Sequence, residues 1–128
     1  MSSSAARPRD GTASQSERAA YQRLTDPEHF RLVYREGARI SDGLLILYTR
    51  GSGLSVRRLG IVAPGRLGTA VRRNRVRRRL REAARAAVAV LPAGTDVVVV
   101  ARAAAAGAPY AALQDSIRAL FNRAAGVR

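Results

Sequence analysis

The sequence predicts an α+β domain in which one mixed sheet has helices packed against it. Three observations carry that prediction. Helical and strand-like hydrophobic patterns follow one another in the order helix, strands, helix, strand, helix. Glycine, proline or a capping residue marks the changes between them. The chain has 128 residues, 47% of them hydrophobic, which suits one domain with a modest core. No internal repeat is visible.

Residues 1–20 are small, polar and without periodicity, and are expected to form a flexible tail; residues 21–126 form the domain. Thr25-Asp26-Pro27-Glu28 is a capping box with proline in the first turn, so the first helix starts there. Phe30, Val33 and Tyr34 then share one face, and Gly37 is a natural stop. Leu44–Thr49 reads as a strand, Gly51-Ser52-Gly53 as a turn, and Arg58–Ala63 as a second strand broken by Pro64-Gly65. A loop through Gly68 leads into a helix expected over about Ala70–Val90. Val76, Leu80, Ala83, Ala84, Ala87 and Leu91 form its apolar stripe. Arg75, Arg78, Arg79, Arg81 and Arg85 spread over its other side. Arg73 falls at the margin of the stripe, so its charge should run along a sheet edge or into a cleft. After Pro92-Ala93-Gly94, Asp96–Arg102 reads as a buried strand. A last helix covers Tyr110–Ala124, with Leu113, Ile117, Leu120 and Phe121 inward.

The charge is far from balanced. The net charge is +14, and all 23 basic residues are arginine. The missing lysines are what a GC-rich genome would also produce, so clustering is the better guide. Seven of the ten residues from Arg72 to Arg81 are arginine. Within about three helical turns these groups repel one another, and a polyanion is the natural neutralising partner. Arginine suits phosphate, because its planar fork takes two oxygens at once. With no cysteine, disulfides and thiolate metal sites are excluded. No apolar run is long enough to span a membrane and no secretory signal is present, so a cytoplasmic location is expected.

Catalytic chemistry is hard to place on this chain. It has nine carboxylates and one histidine. His29, next to Glu28, is expected in solvent rather than in catalysis, and a lone histidine is no metal site. Asp96 and Asp115 read as turn or surface residues. Pro64-Gly65-Arg66-Leu67-Gly68 lacks the spacing of a phosphate loop. No catalytic and no metal-binding residue is therefore assigned. Phe30, Tyr34 and Tyr48 admit two readings, core packing or a stacking platform for unpaired bases.

Leu67-Gly68-Thr69-Ala70-Val71-Arg72-Arg73-Asn74-Arg75-Val76-Arg77-Arg78-Arg79-Leu80-Arg81-Glu82 closely resembles the signature of the bacterial ribonuclease P protein subunit. That signature is a basic-apolar-Gly-Asn-Ala-Val stretch, one variable residue, then Arg-Asn-Arg-apolar-Lys/Arg-Arg. Leu24–Gly37 resembles the family's first helix, Leu44–Thr49 its tyrosine-bearing strand and Val97–Arg102 its apolar strand ending in Ala-Arg. The resemblance spans about residues 23–123.

The resemblance implies the order helix, three strands, helix, strand, helix, with one mixed sheet and a left-handed βαβ crossover, as in the second domain of a ribosomal protein. The usual hand of such crossovers is right. It implies a subunit of an endoribonuclease whose catalyst is the RNA, which removes the 5′ leader of precursor tRNA to generate the mature 5′ end. Magnesium would be held mainly by that RNA and none by the protein alone. The implied partners are ribonuclease P RNA and precursor tRNA, with no membrane and no stable protein partner required. By position, the implied RNA-binding residues are Arg66, Arg72, Arg73, Asn74, Arg75, Arg77, Arg78, Arg79 and Arg81. Phe30, Tyr34 and Tyr48 match the cleft that holds the single-stranded leader, which shifts the aromatics toward stacking.

Two positions depart from the pattern. Gly65 stands where the family commonly has a second basic residue, and Arg72 and Arg57 are the charges available to compensate. Thr69 stands where it commonly has asparagine, and could serve as a helix N-cap. A ribosomal-type structural RNA-binding protein would share the charge and fold class without affecting tRNA 5′ processing. A membrane-active or DNA-compacting helix fits poorly, because the apolar stripe is rich in alanine.

Overall fold

Asp26 opens the first helix by accepting a hydrogen bond from the Glu28 amide (2.9 Å), with Pro27 in the first turn. In the computed structural model, which describes residues 21–126, eight elements follow from such local signals and from packing. They are β1 (Tyr21–Arg23), α1 (Pro27–Glu36), β2 (Ala38–Ser41), β3 (Leu45–Gly51), β4 (Arg57–Val62), α2 (Ala70–Ala87), β5 (Thr95–Ala101) and α3 (Tyr110–Ala124). Short 3-10 turns lie at Gly65–Leu67, Val88–Val90 and Ala103–Gly107. The tail expected for residues 1–20 lies outside the described residues.

The five strands form one mixed sheet in the order β1-β4-β5-β3-β2. β1 and β5 both run parallel to β4, while β3 is antiparallel to both β5 and β2. The parallel neighbours β4 and β5 are joined through α2, as a strand-helix-strand crossover requires.

Alternation along the strands sends side chains to two different layers. Leu45, Leu47, Leu59, Val97, Val99 and Ala101 pack with α2 and α3 in the larger core. From α2 this layer takes Val76, Leu80, Ala83 and Ala84; from α3 it takes Leu113, Ile117, Leu120 and Phe121. Each fully buried leucine or phenylalanine contributes about 1.5–3 kcal/mol. On the other face Val98 and Val100 pack with Leu24 and with Val33 of α1, bordered by Phe30, Ile46, Tyr48 and Val62. β5, covered on both faces, is buried from Asp96 to Ala101.

The structure departs from the sequence reading at four places. β1 and β2 are additional to the strands read from periodicity; β2 supplies the third strand implied by the resemblance, whereas β1 belongs to neither reading. α2 ends at Ala87, and Val88–Val90 tightens into a 3-10 turn. Gly37 does end α1, but with extended backbone (φ −81°, ψ 159°) rather than a left-handed stop. Glycine is needed there for space: a Cβ would lie 2.4 Å from the Val33 carbonyl oxygen and 2.6 Å from that of Thr49.

The fourth departure is electrostatic. Asp96 is not a turn or surface residue; it is fully buried. Arg58 Nε and Nη2 donate to its two carboxylate oxygens, both at 2.7 Å. Arg58 Nη1 also donates to His29 Nδ1 at 2.9 Å, so His29 is half-buried against the sheet rather than free in solvent. The register explains the pair, because Arg58 and Asp96 are direct partners across β4 and β5. The hydrogen-bonded carboxylate beside it raises the Arg58 pKa, against an opposing effect of burial. Asp115, by contrast, is exposed and meets Arg118 one turn on, as expected.

A second carboxylate fixes the β2–β3 hairpin. Asp42 accepts from the Leu44 and Leu45 amides (2.8 and 2.9 Å) and from the Ser116 hydroxyl of α3. Burial alone would raise its pKa. The Ser116 hydroxyl, the two amides and the charge of Arg102 outweigh that and hold it below the ordinary value.

Candidate nucleic-acid interface

α2 forms despite its charge because both its ends and its inner face are satisfied. Thr69 is the N-cap, its hydroxyl accepting from the Arg72 amide at 3.2 Å. That is the role open to a threonine at this position. Val76, Leu80, Ala83 and Ala84 bury the inner face of the helix in the core, and Ala83 and Ala87 border α3.

The arginines leave this helix in three directions. Arg72, Arg75 and Arg78, with Asn74, are exposed. Arg73, Arg77, Arg79 and Arg81 are half-buried along the flanks of the apolar stripe. Arg79 leans toward the Ala108 carbonyl (3.5 Å), and Arg81 toward β1 and β4, so neither sits on the fully outward side where periodicity placed it. Arg73 is half-buried, its Nε shut off from water and without a hydrogen-bond partner. Arg66 is exposed in the turn before α2, where Leu67 is the buried anchor. The Arg72 side chain lies over Gly68, beside the loop that lacks a charge at Gly65.

Glu82 is the one carboxylate on α2, and it pairs with Arg85. Among the described residues the arginine ion pairs involve Arg31, Arg35, Arg50, Arg58, Arg85 and Arg118. None involves an arginine between positions 59 and 84. Arg77 finds only the Asn74 side-chain oxygen. No acidic residue lies in the first turn of α2, whose dipole adds further positive potential.

The aromatic residues occupy the opposite face of the sheet. Phe30 and Tyr34 project from α1, with ring centroids 6.3 Å apart. Tyr34 meets Tyr48 of β3 edge to face at 4.9 Å. Phe30 lies over Gly60, where a Cβ would come within 2.7 Å of its ring. Phe30 is half-buried and Tyr34 is 42% exposed, and both line a shallow depression of about 440 Å³. Burial, then Tyr48, raises the Tyr34 pKa, so its hydroxyl stays protonated near neutrality.

The arginine helix and the aromatic cluster are thus on different sides of one sheet. They meet at its β4 edge, where one small cavity is lined by both Phe30 and Arg81. Tyr21 and Arg23 also line it, and sequence reasoning missed both. The three-residue strand that carries them shows no periodicity to find.

The ribonuclease P family profile matches residues 19–125 of this chain. The ribonuclease P protein component of Chloroflexus aurantiacus is 44% identical over 84% of this chain and 79% of its own length. That of Clostridium acetobutylicum is 38% identical over 80% of this chain and 87% of its own. Two solved structures superpose with TM-scores of 0.72. The RNase P protein of Thermotoga maritima is 29% identical, covering 80% of this chain and 96% of its own. That of Staphylococcus aureus is 27% identical, covering 80% and 94%.

Proposed function

The chain belongs to the ribonuclease P protein family, and on that footing we propose that α2 binds the catalytic RNA while the α1 face holds the 5′ leader of precursor tRNA. Family membership itself implies a subunit of an endoribonuclease, partnership with ribonuclease P RNA and a role in tRNA 5′ processing.

The observation that carries the finer reading is the arginine cluster from Arg66 to Arg81, with no carboxylate partner among the described residues. Phosphates are the complementary charge. Arg66, Arg72, Arg73, Arg75, Arg77, Arg78, Arg79 and Arg81, with Asn74, then contact the RNA backbone and reduce repulsion between catalytic RNA and precursor. Stacking on Phe30, Tyr34 and Tyr48 tolerates any base, which suits an enzyme that must accept many leaders. Cleavage belongs to the RNA on this reading, and magnesium is held mainly there. Among the described residues no three His, Cys, Asp or Glu side chains come together as a metal site. Among them, too, no helix is long and apolar enough to cross a membrane; the proposed place of action is the cytoplasm.

Cleavage of a 5′-extended precursor tRNA by a bacterial ribonuclease P RNA, at low magnesium and near-physiological salt, tests the proposal. The protein should strongly stimulate the RNA and do nothing alone. Folded, RNA-binding protein that fails to stimulate would instead support a ribosomal-type structural role.

A further inference from the structure

β1 pairs with β4 only as far as Leu59, where the last contact is the Leu24 amide donating to the Leu59 carbonyl at 2.9 Å. Beyond that point no strand pairs with this edge of β4. A cavity of about 110 Å³ opens there, with Tyr21 and Arg23 from β1, Phe30 from α1, Gly60 and Ile61 from β4, and Arg81 from α2 on its walls. Arg77 stands one turn before Arg81 on α2 and adds its charge to the cluster.

We propose that Arg23 and Arg81, beside the Tyr21 ring, bind one phosphodiester group of an RNA strand that passes around the β4 edge. The site rests on the RNA-binding reading above, and adds to it a contact from β1 and a place where the two faces of the sheet are joined.

Charge is the first argument. Among the described residues none of Arg23, Arg77 and Arg81 makes an ion pair, and no carboxylate lines the cavity. Burial, together with the charges of Arg23 and Arg77, depresses the Arg81 pKa, and the Tyr21 hydroxyl only partly offsets this. The isolated chain therefore holds like charges together at a cost, and an oxyanion removes that cost. A phosphodiester fits, since its two free oxygens can be shared between guanidinium forks.

Location is the second argument. Phe30, on the aromatic face, and Arg81, on the basic helix, share this cavity. A strand with a base near Phe30 and its next phosphate at Arg81 would reach the α2 side without leaving protein. The phosphate comes either from the precursor leader or from the catalytic RNA, and the test separates them.

Arg23→Gln, Arg81→Gln and the double variant are compared in the full chain. One arm measures affinity for ribonuclease P RNA, and the other measures holoenzyme affinity for precursor tRNA with and without its leader. A single substitution should weaken one arm about tenfold, the loss of one charge-assisted contact. The double should cost little more than either single, because both grip one group. Its log affinity against log salt slope should flatten by roughly 0.7–0.9, one phosphate and not two. Loss confined to the leader arm identifies the leader phosphate, and loss in the RNA arm identifies the catalytic RNA.

Arg75→Ala serves as a reference for the outward face. If Arg75→Ala weakens binding while Arg23→Gln and Arg81→Gln leave both arms intact, the edge site is wrong and the broader reading stands. Additive losses with a slope change of two phosphates also overturn a shared site. If Arg75→Ala has no effect either, RNA binding through α2 fails as a whole. Arg23 is exposed on an edge strand, so its variant should fold even if Arg81→Gln does not.

Discussion

At Arg58 a half-buried guanidinium meets both oxygens of a buried carboxylate; at Arg81 a half-buried guanidinium shares a cavity with Arg23 and feels the like charges of Arg23 and Arg77. The two pKa values move in opposite directions, up at Arg58 through Asp96 and down at Arg81 through burial and its neighbours. Arg58 lies in β4 and Arg81 packs beside it, both half-buried, so depth in the fold does not explain the difference. What differs is where the counter-charge comes from. Asp96 answers Arg58 inside the domain, whereas among the described residues no arginine from Arg66 to Arg81 makes an ion pair. An internally answered charge serves the fold, and one left unanswered is available to a partner.

The sharpest way to break this comparison is to remove the internal answer. Asp96→Ala leaves Arg58 half-buried without its carboxylate and should cost about 3–5 kcal/mol of stability. For a domain of this size that is a fall in Tm of roughly 10–20 °C in thermal unfolding. Removing exposed Asp115 from Arg118 should cost less than about 1 kcal/mol. Equal Tm values for the two variants would show that the Arg58–Asp96 pair is not what holds β4 and β5 together.

The aromatic face gives a smaller effect, on binding rather than folding. Tyr34→Ala should weaken holoenzyme affinity for precursor tRNA by about 1–3 kcal/mol if a base stacks there. Tyr48→Ala should do the same, because Tyr48 meets the Tyr34 ring edge to face. Mature tRNA, without a leader, should bind both variants normally. Equal losses on mature tRNA would mean the rings support the fold.

Legibility in the sequence followed locality. The bounds of α3 and the inner stripe of α2 are short-range features, and the structure repeats them; the capping box read at Thr25–Glu28 forms instead as a cap by the Asp26 side chain. The arginine cluster was visible for the same reason. β1 and β2 were not, because three- and four-residue edge strands bury too little to show alternation. Asp96 was misread because its partner lies 38 positions away and faces it only through the β4–β5 register. The cavity shared by Arg23 and Arg81 depends on how β1 docks against β4, so no pattern in Arg72–Arg81 announces it.

The smallest expected effect is the one with a sign that separates the two classes of arginine. Arg75 is exposed and has no ion-pair partner among the described residues. Arg75→Ala removes one of the mutually repelling charges on α2 and introduces the best helix former. Free of RNA and at low salt, the variant should be as stable as the parent or slightly more so, within about 0.5 kcal/mol. Its affinity for ribonuclease P RNA should nevertheless fall, with the salt slope flattened by roughly 0.7–0.9 if one phosphate contact is lost. Arg58→Ala should do the reverse and lose stability first. A fall in the Tm of Arg75→Ala, or an unchanged slope, would place Arg75 with Arg58 among the arginines that serve the fold.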